Sequence, residues 1–143
     1  MDMITEDYVS FETAKLLNEK GLYAHTEHNM WYVVEEFSTG CHWNSCTYKV
    51  GDITREYDKK YCITMPTLQM AMKWLRKVHN LHCAVDYDIV LGWYCQITNL
   101  KETVEYDYEE MKHYHPDKDN GFSSPEEAYE AAIKYCLEHK ICN

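Results

Sequence analysis

The chain is poor in the residues that build phosphate-binding loops and sharp catalytic turns. Its 143 residues include five glycines and three prolines. No Gly-rich phosphate loop, nucleophile elbow or paired-histidine metalloprotease motif occurs in it. That weighs against an enzyme of those classes, and the expectation is a non-enzymatic protein without a cofactor. Cations are scarce too: 14 Lys and Arg stand against 24 Asp and Glu, for a formal net charge of −10. Phosphate backbones are bound by clustered Lys and Arg, so a nucleic-acid partner is disfavoured. No run approaches the roughly 20 apolar residues of a membrane-spanning helix. The opening MDMITEDYVS is acidic, without the basic-then-apolar order of a secretion signal. The expectation is a cytosolic protein with no membrane partner.

Tyrosine is abundant, with 13 copies, alongside four tryptophans and seven cysteines. The cysteines are odd in number, form no framework and sit mostly in apolar runs (Cys62, Cys95, Cys136). That pattern suits buried free thiols in a reducing compartment. Apolar and charged fractions are near globular averages, and the length suits a single domain, 1–143, with its own core.

Three helices are predicted. The first runs from about Phe11 to Lys20, capped by Ser10 and stopped by Gly21, with Phe11, Ala14 and Leu17 inward. The second follows a start near Thr64 with Pro66 in its first turn. It places Leu68, Ala71, Met72, Leu75 and Val78 on one face and stops at Asn80. The third starts at Ser124, with Pro125 in its first turn and Glu127 completing a capping box. Ala128, Ala131, Ala132, Tyr135 and Cys136 face inward, and Glu130 is set to pair with Lys134 one turn on.

Between helices the period changes to two. Val104, Tyr106 and Tyr108 alternate with Glu105, Asp107 and Glu109, a strand with one aromatic and one acidic face. Trp93–Thr98 is its partner, and Val85, Tyr87, Ile89 and Leu91 alternate ahead of Gly92. Trp31–Phe37 and one or two segments between Tyr48 and Ile63 are further strands. The expected fold is α+β, a single antiparallel sheet of about five strands packed with three helices. The distances from Trp31-Tyr32 to the second helix and from Trp93-Tyr94 to the third are similar, which allows two β-hairpin-plus-helix units.

Candidate chemistry is sparse. Cys41, His42 and Cys46 offer zinc-compatible ligands but no second matching pair, so no metal is expected and a structural zinc module is an alternative. His115-Pro116-Asp117 resembles the loop of J-domain cochaperones. The basic helix that precedes that loop is replaced here by acidic KETVEYDYEEM, and a surface Pro-Asp turn is the simpler reading. Carboxylates at alternate positions of a strand recur at roughly 6.8 Å, a spacing that could mimic nucleic-acid phosphates.

Three blocks, YVSFETAKLLNEKG, TLQMAMKWLRKVHN and SSPEEAYEAAIKYCLEH, resemble in order an uncharacterised small-protein family of gut Bacteroidales and their phages or mobile elements. The resemblance implies a phage or mobile-element setting and supplies no functional residues. With the tyrosine excess and the acidity, the expectation is a protein that binds a host protein, as a possible inhibitor of a host system. The binding candidates are Trp31, Trp43, Trp93, Glu105, Asp107 and Glu109. The alternative is a small-molecule or nucleotide site between sheet and helices, walled by the three tryptophans.

Overall fold

In the computed structural model, residues 3–4, 6–22, 30–37, 46–52, 62–106 and 121–141 are described, with 30–37, 46–52, 62, 64 and 106 by backbone alone. Their order is α1 (Phe11–Glu19), β1 (Met30–Phe37), β2 (Cys46–Asp52), β3 (Cys62–Thr64), α2 (Leu68–His79), β4 (Leu81–Asp88), β5 (Gly92–Asn99), β6 (Val104–Tyr106) and α3 (Pro125–Tyr135). A π-helical turn, Cys136–Lys140, continues α3. Among the described residues the fold is α+β with three helices and antiparallel strands. The strands do not form the expected single sheet of about five. They form two three-stranded sheets, ordered β2-β1-β3 and β4-β5-β6. Strand pairing is a long-range choice that period-two patterning leaves open.

Each helix starts on a hydroxyl cap. Ser10 accepts from the Thr13 N–H, Thr67 from the Met70 N–H and Ser124 from the Glu127 N–H. The three caps recur at equal intervals along the chain. Four residues after each stands an alanine with 0% exposure, Ala14, Ala71 and Ala128, so the first turn of each helix can approach the core closely. After α1 and α2 the chain turns through a left-handed residue, Gly21 or Asn80, into a buried leucine, Leu22 or Leu81. This is the usual way a helix ends when its last carbonyls need partners.

The second helix begins at the Thr67 cap, because Thr64 pairs with Trp31 in β3 and Pro66 accepts from the Val9 N–H. Trp74 is buried and Val78 is 38% exposed, so the apolar face is rotated toward the bulkier residue. Glu127 does not close a capping box on Ser124. Its carboxylate accepts instead from the N–H and hydroxyl of Ser123. Lys134 bridges to Glu12 on α1 at 3.3 Å, and Glu130 accepts from the Ser10 N–H at 2.9 Å and hydroxyl at 2.6 Å. Contacts between α1 and α3 have replaced the expected pair within α3.

The core lies between the helices and one face of β4-β5-β6. Leu81, Cys83, Cys95 and Ile97 supply the sheet side, and Ala71, Leu75, Ala128, Ala132 and Ile133 supply the helix side. Replacing Thr67 by alanine removes a cap from α2 and is expected to lower stability by about 1 kcal/mol, read as a shift of the urea midpoint without a change in slope.

The turn from β5 to β6 places Thr103 at φ 56°, a left-handed conformation that disfavours β-branched side chains. Thr103→Gly is therefore expected to raise stability by up to about 1 kcal/mol in the same assay. A loss would show that the hydroxyl bond to the Glu102 carbonyl, 2.6 Å, outweighs the backbone strain.

Candidate interaction surface

Alternation along β4 and β5 sorts their side chains onto two faces. Leu81, Cys83, Val85 and Tyr87 share the helix side with their cross-strand partners Asn99, Ile97, Cys95 and Trp93. His82, Ala84, Asp86, Tyr94, Gln96 and Thr98 share the other. On this outer face the Thr98↔Glu105 pair adds β6, and His82, Ala84, Asp86 and Glu105 are exposed. Asp86 stands directly across from half-buried Tyr94, and the Gln96 amide donates to the Glu105 carboxylate at 3.2 Å. Exposed Asp86 and Glu105 thus share this face with Tyr94, which is half-buried and packs in part against the core.

At the open end of the sheet, Tyr87 and Trp93 meet edge to face, with ring centroids 5.1 Å apart, the preferred geometry for two aromatic quadrupoles. The turn beyond them is organised by Asp88, whose carboxylate accepts from the Val90 N–H at 2.8 Å and the Leu91 N–H at 3.0 Å. These bonds, Leu91's first and Val90's next, hold its pKa below the usual carboxylate range. A depressed pKa means that the contribution to the turn is present above the ordinary value and is lost as pH falls through the lowered one. The Val90 and Leu91 amide resonances are therefore expected to titrate together at a pH below 3.8. Titration at or above that value would break the assignment.

The segment Gly121–Phe122 buttresses this turn. Gly121 donates to the Leu91 carbonyl at 2.6 Å, and Phe122 donates to the Trp93 carbonyl at 2.8 Å. The alternation of Val85, Tyr87, Ile89 and Leu91 continues in sequence through what is a turn in the fold. The local signal for a turn was Asp88 three residues before Leu91, followed by Gly92.

Of the six sequence-predicted binding residues, Trp31, Trp93 and Glu105 are among the described residues, and they stand at three separate places. Trp93 lies on the helix side of the sheet and Glu105 on the outer side. Trp31 sits in β1, opposite Gly51 and Thr64, in the other sheet. Trp43, Asp107 and Glu109 lie outside the described residues, as do Cys41, His42 and His115. Among the described residues no group of three His, Cys, Asp or Glu is placed to hold a metal ion.

A shallow pocket of about 180 Å³ is lined by Glu6, Asp7, Thr67, Leu68, Gln69, Glu126 and Tyr129. No tryptophan contributes to it, and its three carboxylates oppose a phosphate-bearing ligand.

Cys83, Cys95 and Cys136 are buried free thiols, with the Cys83 and Cys136 sulfurs 4.0 Å apart. Burial, with Cys83 nearby, pushes the Cys95 thiol up to about 12. The hydrogen bond with Cys83, reinforced by burial, raises Cys136 as well. Such thiols are poor nucleophiles and serve as core. Among the described residues no helix is long and apolar enough to cross a membrane. In comparison with known proteins, no family model, no curated protein and no solved structure matches the chain.

Proposed function

We propose that the chain is a non-enzymatic binding module of a phage or mobile element, acting in the bacterial host's cytosol on a host protein whose activity it blocks. The observation that carries this reading is the outer face of β4-β5-β6, where Asp86, Tyr94, Gln96 and Glu105 combine aromatic and acidic character. Aromatic residues supply contact area at small entropic cost, and ionised carboxylates steer a basic partner. The resemblance to small proteins of gut Bacteroidales phages supports the host setting.

The recurring caps, each followed by a buried alanine, further support reading the chain as two hairpin-plus-helix units. In both, a Trp-Tyr pair on the middle strand lies beside the chain that leads into the next helix, Trp31 opposite Thr64 and Trp93 opposite Phe122.

The binding test is a quantitative pull-down from host lysate with the wild-type chain and with Asp86→Lys, Tyr94→Ala, Glu105→Lys combined. Wild type is expected to enrich a discrete protein at least about tenfold over the triple variant. Equal recovery by both proteins would remove the outer face from the proposal, and absence of any enriched protein would remove the binding function.

A further inference from the structure

The turn between β4 and β5 carries apolar side chains where hairpin turns ordinarily carry Asn, Asp and Gly. Ile89 is 92% exposed and Val90 88%, with Leu91 exposed beside them. This tip is fixed from three sides. Asp88 binds the Val90 and Leu91 amides, Gly92 turns the chain at φ 89°, and Gly121 donates to the Leu91 carbonyl. The ordering entropy of the tip is therefore already lost on folding, so docking would lose little more. At its base the Tyr87–Trp93 pair extends the apolar surface with residue types that dominate binding energy at interfaces.

We infer that the β4–β5 turn is a docking finger that inserts Ile89 and Val90 into an apolar slot, rimmed by Lys or Arg, on a folded protein partner. The inference rests on the protein-binding reading and adds which element enters the partner and what receives it. Charge complementarity selects this occupant. Asp86 is exposed and Asp88 is held ionised beside the apolar tip, on a chain of net charge −10. Anionic bilayer surfaces recruit apolar tips flanked by Lys and Arg, the opposite of this arrangement. A second copy of the chain would bring two such acidic fingers and two acidic bodies together.

The test places the photocrosslinker p-benzoylphenylalanine at Ile89, at Tyr94 on the outer face, and at Lys77 on exposed α2 as background, each in the full chain irradiated in a gut Bacteroidales host. The Ile89 position is expected to give one adduct with a host protein. Its crosslinked peptide should be apolar with Lys or Arg within a few residues. The yield should fall about tenfold on adding Val90→Asp and severalfold on adding Asp86→Lys. Because residues 86 and 90 are exposed, both variants should melt within about 2 °C of the parent, so a lost adduct reports lost docking.

An adduct with lipid, with another copy of the chain, or with an acidic or wholly polar peptide overturns the finger. An adduct at Tyr94 without one at Ile89 removes the finger and leaves protein binding standing. Ile89 and Tyr94 both at the Lys77 background removes both.

Discussion

Gly121→Ala is expected to lower stability by about 3 kcal/mol or more. A Cβ at this position would stand 2.1 Å from the Leu91 oxygen, 2.7 Å from the Trp93 oxygen and 2.9 Å from the Leu91 carbonyl carbon. All three are backbone atoms of the β4–β5 hairpin, so no side chain can swing aside. Either the segment 121–122 leaves the hairpin, losing the bonds to Leu91 and Trp93, or the end of the hairpin shifts.

Near this chain length 1 kcal/mol corresponds to roughly 4 °C, so the melting temperature should fall by about 12 °C or more. Gly21→Ala is the matched comparison. Nothing lies within 4 Å of a Cβ there, but φ is 95°, so the loss comes from conformation alone and should be about 1–2 kcal/mol. If both variants melt alike, close packing at Gly121 is not what the geometry implies.

The second large effect is alkaline. An unfolded Cys95 ionises near the ordinary thiol value of 9.0, whereas in the fold it is held neutral up to about 12. The folded state then binds more protons than the unfolded state between those values. Stability is fully present below about pH 9 and is lost as pH rises toward 12, at about 1.4 kcal/mol per pH unit for a thiol held neutral. Cys136, raised in the same direction, steepens the decline. Urea unfolding at pH 7, 9 and 10.5 should show the wild type losing stability faster than Cys95→Ala above pH 9, with the two changing little relative to each other below it. Parallel curves throughout would mean that Cys95 ionises in the folded state without penalty.

Helix ends were legible in the sequence because their chemistry is local. Ser10, Asn80 and Ser124 each act within a turn of themselves, and the structure uses all three as read. Thr64 carries the local signal of a helix start, but its pairing with Trp31 assigns it to a strand and the cap falls on Thr67. Trp74 and Val78 are four apart, both close to the edge of the apolar stripe, and packing volume decided between them. The Glu130–Lys134 pair was sound helix geometry, displaced by Ser10 and Glu12 from a helix remote in sequence.

The meander β4-β5-β6 was legible because each connection is short, whereas the division into two sheets depends on contacts that no window of sequence contains. Of the six binding candidates, Glu105 faces outward as the alternation implied. Trp93, read as a wall of a site between sheet and helices, has the register with Tyr87 that puts it on the helix side. The apolar turn is hidden in the sequence because Ile89 and Leu91 continue the strand's alternation past its last paired residue.

The placement of α3 shapes how the chain reaches this structure. It covers the inner face of β4 and β5 but follows both in sequence, and its polar side is clamped by α1 through Ser10–Glu130, a separation of 120 residues. Until those distant parts meet, Leu81, Cys83, Cys95 and Ile97 line a sheet covered only in part, by α2, with the apolar turn at its end. A topology with such long closures belongs to the slower, millisecond-to-second folders. During that interval the uncovered part of the face is open to self-association. Refolding yield should therefore fall with protein concentration, and α3 serves as the element whose arrival ends the exposure.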